Sequence, residues 1–198
     1  MIGLQIAPLA GAAPQAWRNG GGVTRELLTW PAAAGDDWAL RVSVAQIARE
    51  GPFSAFPGID RWFTVVDGAG VALQFGTRTY RLTPDSAPLC FDGGAAPGCE
   101  LLNGATLDIN LMVRRGAGQA DMQRALPENL WRSADAWRAL YTSGPARLQI
   151  EGRPVADLAA AALVWHPYAQ GAAWSFHPTE ALTRGWWLSF QPTSDRPA

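Results

Sequence analysis

The stretch from Arg61 to Asp92, RWFTVVDGAGVALQFGTRTYRLTPDSAPLCFD, limits what this chain can become more than any other. Two apolar runs, Trp62 to Val66 and Val71 to Phe75, flank Asp67-Gly68-Ala69-Gly70, where glycine supplies the positive φ that a tight hairpin turn needs. A third run, Thr79 to Leu82, follows Gly76 and stops before Pro84. From Trp137 the phrase returns as WRALYTSGPARLQIEGRPVADLAAAALVWHP. Gly68 and Gly76 are spaced like Gly144 and Gly152, and the offset that superimposes them also brings Leu82 onto Leu158. The pattern predicts two copies of one β-meander, hence an all-β chain built by duplication.

The rest of the chain agrees with that reading. Its 15 prolines and 21 glycines suit short strands joined by turns, and 48% hydrophobic against 17% charged residues marks a chain able to bury a core. Strands are expected over Ile2 to Ala7, Val23 to Trp30, Trp38 to Ala45, Cys99 to Asn103 and Thr106 to Val113. Asn19 to Gly22 reads as a wide turn feeding a strand, since no helix follows to make a phosphate loop of it. The loop Arg49 to Asp60 carries two phenylalanines and is expected to pack against the body. We expect two modules, residues 1–115 and a Trp-rich 116–198, with one or two helical turns at Pro127 to Ala134 and closing strands at Trp174 to His177 and Gly185 to Gln191.

Three strands alternate well enough to assign faces. Opposite their apolar faces they present Thr24 and Glu26, then Arg41 and Ser43, then Asp108 and Asn110, with Arg61 opening the next strand. Turned inward, these groups must satisfy one another or a ligand, and arginine suits a carboxylate through paired hydrogen bonds. The same alternation also describes a sheet whose polar side faces water, so the pattern alone leaves the orientation open. If the chain is an enzyme, Glu26 and Asp108 are the acid/base candidates.

Other chemistries are poorly supplied. There is no lysine, which excludes Schiff-base and P-loop lysine chemistry. His166 and His177 are the sole histidines and no CxxC occurs, so neither a metal nor any other cofactor is expected. A net charge of −1 gives no general attraction to nucleic acid or to an anionic membrane. Cys90 and Cys99 are expected as reduced thiols, and the N-terminus lacks the pattern of an export signal, which places the protein in the cytoplasm. Of ten tryptophans, Trp131, Trp137, Trp165, Trp174, Trp186 and Trp187 lie in the second half; they read as an aromatic core, or at Trp186-Trp187 as cover for a contact in a homodimer.

Four ordered motifs carry a resemblance. Trp17-Arg18-Asn19-Gly20-Gly21-Gly22-x-Thr24-x-Glu26, Trp38-x-x-Arg41-x-Ser43-x-Ala45, Gly51-Pro52-Phe53-Ser54-x-Phe56-Pro57-Gly58-Ile59-Asp60-Arg61 and Asp108-x-Asn110-x-Met112-x-x-Arg115 together resemble the HutD/Ves family. The resemblance implies a metal-free bicupin, two jelly-roll barrels in one chain. It also implies a regulator or governor of histidine utilisation that binds a small acid, N-formylglutamate or urocanate, rather than a catalyst. The site expected is Asn19, Thr24, Glu26, Arg41, Ser43, Arg61, Asp108 and Asn110 in the first barrel, with Arg41 or Arg61 pairing with the acid, Ser43 and Asn110 donating hydrogen bonds, and Glu26 and Asp108 orienting the arginines. Two alternatives stand beside it: a metal-independent cupin isomerase or hydrolase, and a stress-related interaction protein of the Ves type.

Overall fold

The structure, a computed structural model, describes residues 3–31, 37–166 and 171–193. β1 (Gln5–Pro8) opens the chain. Ten strands follow: β2 (Pro14–Ala16), β3 (Gly22–Trp30), β4 (Leu40–Ile47), β5 (Gly51–Pro52), β6 (Ile59–Asp67), β7 (Val71–Phe75), β8 (Arg78–Leu82), β9 (Leu89–Asp92), β10 (Gly98–Leu101) and β11 (Thr106–Arg114). The rest is β12 (Gly118–Ala125), β13 (Leu130–Trp131), β14 (Trp137–Thr142), β15 (Ala146–Ile150), β16 (Ala156–Leu158), β17 (Ala162–His166), β18 (Trp174–Pro178) and β19 (Gly185–Pro192). Among the described residues no helix is long and apolar enough to cross a membrane.

The chain divides into two compact units, Ala12–Ala117 and a second made of Met1–Gly11 with Gly118–Pro197. In the first, a six-stranded sheet ordered β2-β3-β4-β11-β6-β9 faces a four-stranded sheet ordered β5-β10-β7-β8. In the second, the orders are β1-β17-β14-β19-β12 and β13-β18-β15-β16. Setting β4-β11-β6-β9 beside β12-β19-β14-β17, and β5-β10-β7-β8 beside β13-β18-β15-β16, makes the two orders coincide, so the duplication read from the glycine spacing is a duplication of topology. The shared hairpin is β7–β8, paired from Val71↔Leu82 to Phe75↔Arg78. Gly70 enters it at φ 114°, packed so closely on the Leu82 carbonyl that a side chain would collide with it.

Two expectations are corrected. The first module does not begin at residue 1: β1 pairs with β17, from Gln5↔Trp165 to Pro8↔Ala162, and so adds an edge strand to the second module. Nor is there a helical turn at 127–134. Glu128 sits at φ 63°, and Trp131 is drawn into strand pairing with Trp174. Burial is the reason: Trp131 stacks on Trp187 with ring centroids 4.9 Å apart and meets Trp174 edge to face at 6.0 Å, an arrangement worth more than a short helix marked by one proline. Trp137 and Trp186 are buried too, so five of the six tryptophans of the second half are core residues, and Trp165 is half-buried. No disulfide joins Cys90 to Cys99.

Removing Met1–Gly11 should therefore unprotect the second module and spare the first. Hydrogen exchange of β17 amides is expected to accelerate by about tenfold or more while β4 and β11 amides keep their protection; unaltered exchange in β17 would contradict the pairing.

Candidate functional site

The site is built on the inner face of the six-stranded sheet. Register sets Thr24, Ala45, Asp108 and Val65 in one row across β3, β4, β11 and β6, and Glu26, Ser43, Asn110 and Phe63 in the next. A third row runs Arg41, Met112, Arg61 and Phe91 across β4, β11, β6 and β9. Phe63 and Val65 belong to the core that also holds Val71, Leu73 and Cys99 of the opposite sheet, so the polar residues sharing their face point inward. Ser43, Asn110 and Asp108 are buried, as is Arg61 at 6% exposure. The apolar face of the same strands, with Val42, Val44, Ile109 and Leu111, is buried as well, which is why alternation alone did not orient the sheet.

Above these rows lies a cleft of about 360 Å³. Asn19, Thr24, Arg41, Ser43, Arg61 and Asn110 line it, six of the eight residues expected. The other two do not. Glu26 is exposed because β2 covers only Val23 to Arg25, leaving the rest of β3 as an edge; it reaches back to Arg41, Oε2 accepting from Nε at 2.8 Å. Asp108 lies under the cleft, fully buried, and makes no hydrogen bond to either arginine: Thr106 Oγ1 donates to its Oδ2 at 3.0 Å, and its Oδ1 has no partner among the described residues. Glu26 and Asp108 are expected to orient the arginines; Glu26 pairs with Arg41, whereas Arg61 is hydrogen-bonded to Asn110 and not to Asp108. Nor do the two carboxylates meet as an acid/base pair in the cleft.

Arg61 is the centre of the arrangement. Its Nε and Nη2 both donate to Asn110 Oδ1, at 2.8 and 2.6 Å, which fixes the amide and turns its NH2 group to serve as donor. Phe53, folded in from the loop before β6, lies 4.4 Å from the guanidinium carbon, with Phe91 at 5.5 Å and Phe63 at 5.8 Å. Ring faces attract a cation but do not neutralise it. Among the described residues Arg61 has no ion pair, and the nearby Arg41 repels it. Burial pulls its pKa down to about 9, opposed by Asp108, and it remains charged at neutral pH. Arg41 stands on the far side of Met112, about 10 Å away at the backbone, two strand spacings. Arg18, exposed at the rim, adds a third guanidinium.

The turn before β3 shapes the mouth. Asn19 Oδ1 accepts from the Gly21 amide at 2.9 Å, Trp17 Nε1 donates to Thr24 Oγ1 at 2.8 Å, and Gly22 lies so tightly on Gln46 and the Trp17 ring that only glycine fits. The glycines are thus a turn feeding a strand. The residues that sequence reasoning left out are chiefly aromatic or apolar: Trp17, Phe53, Phe56 and Met112 wall the cleft. Two phenylalanines in a loop were the available signal, and the packing they implied is against the site itself.

Burial raises the Asp108 carboxyl pKa to about 8, against the pull of the Thr106 hydroxyl and Arg61. In the unfolded chain the same group ionises near its ordinary value of 3.8, so from there to about pH 8 the folded state holds a proton that the unfolded state has lost. Stability should fall as pH rises through that window, and Asp108→Asn should flatten the fall. Urea midpoints measured from pH 4.5 to 8 check this; equal slopes in both proteins would contradict the buried neutral acid.

Comparison with known proteins bears on these features. Residues 10–182 match the HutD family model. The Ves protein of Cronobacter sakazakii is 36% identical over 110 residues, which are 55% of this chain and 60% of that protein, less than two thirds of its length. An uncharacterised 21.2 kDa protein in the hutC 3′ region of Pseudomonas putida is 33% identical over 144 residues, 72% of this chain and 75% of the other. Among solved structures, HutD from Pseudomonas fluorescens SBW25 (formate condition) superimposes with a TM-score of 0.82 at 22% identity, over 97% of this chain and all of that one (100%). The formate complex of oxalate decarboxylase from Lactobacillus farciminis does so with a TM-score of 0.61 at 9% identity, over 98% of this chain and 88% of that one. The structural likenesses show the fold, a duplicated jelly-roll of the cupin kind, and the family match over most of the sequence shows that the chain belongs to the HutD family.

Proposed function

We propose that the first module binds a small carboxylate and that the protein serves histidine utilisation as a binding regulator. The observation that carries this reading is the Arg61 guanidinium, buried beside the cleft, charged, and joined to a neutral amide in place of a carboxylate. A buried charge without a partner costs several kcal/mol, roughly, and an arriving carboxylate removes that cost. Arg61 supplies the charge, Asn110 Nδ2 and Ser43 Oγ supply donors at the floor, and Phe53, Phe56 and Met112 give an apolar wall to the ligand's carbon skeleton. Arg41, tethered by Glu26, stands ready for a second polar group.

The link to histidine utilisation is supported by the family and by the Pseudomonas putida relative from the hutC region. N-formylglutamate and urocanate are the candidate ligands on that account. The formate associated with the Pseudomonas fluorescens HutD and with oxalate decarboxylase makes a one-carbon acid the simplest probe. Binding is preferred to turnover because Glu26 and Asp108, the carboxylates available for acid/base work, stand outside the lining of the cleft.

Titration calorimetry at pH 7 with formate, N-formylglutamate and urocanate tests the proposal. At least one acid should bind; Arg61→Gln should weaken it by ~2–5 kcal/mol and Ser43→Ala by ~0.5–1.5 kcal/mol, with thermal unfolding confirming that each variant folds. Silence across the panel in the unaltered protein would reject the site, and loss of the bound acid over time in an NMR tube would replace binding with catalysis.

A further inference from the structure

Asp108 is the one acidic group on the inner face that the binding reading does not use. It sits two residues from Asn110 on the same face of β11, with Met112 beyond, so the strand carries the acid, the amide that holds Arg61, and the cleft floor in sequence. One oxygen is held by Thr106, and the other, Oδ1, is buried with no donor among the described residues. A buried oxygen without a donor is costly as a carboxylate and cheaper as a protonated acid. Among the described residues the groups that bear on it are these. Arg61 on β6 pulls it towards ionisation, Thr106 on its own strand does the same, and Arg41 on β4 acts on Arg61. The Cys99 thiol on β10 also feels it, but burial pushes that thiol up to about 12, so it stays neutral throughout.

Asp108 and a bound carboxylate would therefore answer the same charge. While the cleft is empty, the Arg61 charge acts on Asp108 and favours its ionised form. Once an anion lies on Arg61, that attraction is cancelled and a like charge is added close by. Resting on the carboxylate-binding reading above, we propose that Asp108 is a displaceable internal counter-ion of Arg61: carboxylate binding drives a proton from the solvent onto Asp108, so that ligand uptake and proton uptake are coupled. The step moves one proton from buffer to the Asp108 carboxyl and makes or breaks no other covalent bond. Its consequence is a ligand response that depends on pH. Below the point where Asp108 ionises in the empty protein, affinity is level; above it, affinity falls towards tenfold per pH unit, and from about pH 9 the loss of the Arg61 charge adds to the fall.

The direct test follows the carboxyl ¹³C resonance of Asp108 in the full chain, titrated from pH 6 to 10 without and with saturating formate. The ionisation midpoint should lie near pH 8 in the empty protein, as its burial requires, and move up by roughly one pH unit or more when formate is bound. An unmoved midpoint in protein whose Arg61 and Asn110 resonances respond to formate would overturn the coupling and leave the binding site standing. Absence of any response at those resonances to formate, N-formylglutamate and urocanate alike would overturn both. Calorimetry in buffers of differing ionisation heat gives a second readout at pH 8: the unaltered protein should take up on the order of half a proton per formate bound, and Asp108→Asn markedly less. Equal uptake in the two proteins would also defeat the proposal, and the resonance titration needs no variant to fold.

Discussion

A guanidinium held out of water without a carboxylate to meet it is the constraint on which the first module turns. The ordinary fate of a buried arginine is an ion pair, and this chain forms such pairs elsewhere: Arg115 bridges Asp60 and Asp92 at 2.8 and 2.9 Å on the surface. Arg61, on the same strand as Asp60, is given an amide and three aromatic faces. Those partners hold the group in one geometry and leave its charge in place. On the proposed reading an interior built in this way favours an anion from outside, and Asp108, one oxygen of which has no donor among the described residues, sets how strongly.

The second module also buries a guanidinium, Arg138, with no ion pair among the described residues, and meets it in a different way. By register, Arg138 on β14 opposes Ser189 on β19, which opposes Asp121 on β12, a row across the three strands that correspond to β6, β11 and β4 with their Arg61, Met112 and Arg41. Arg138 is buried and donates through Nη1 to the Ser133 and Ala172 carbonyls, which makes it a brace for two loops. Where Asn110 opposes Phe63 in the first module, Trp187 opposes Leu140 in the second, and the stack of Trp131 on Trp187 fills the space. One copy of the fold spends its interior on a polar floor, the other on an aromatic core.

Much of this was legible in the sequence because antiparallel strands write their faces in alternate residues. Val71 to Phe75 was delimited as it stands, and the group of Thr24, Arg41, Ser43, Arg61 and Asn110 was gathered from periodicity before any geometry. Periodicity is silent about which face is inside when both are buried, so the family resemblance was needed to favour the pocket. Glu26 escaped because its exposure depends on where β2 ends, and the role of Asp108 because a hydrogen-bond partner is a matter of ångströms within one face. The position of β1 in the second module and the tryptophan stack at Trp131 depend on long-range pairing, which local composition does not encode. Phe53 lies in a loop whose packing is set by the ring it places over Arg61.

The central claim, that Arg61 awaits an anion, is tested most directly by a crystal structure of the protein grown with formate. The account predicts a carboxylate within hydrogen-bonding distance of the Arg61 guanidinium, against the Phe53 ring and within reach of the Asn110 amide. Water alone on Arg61, with formate confined to exposed arginines such as Arg18, would contradict it.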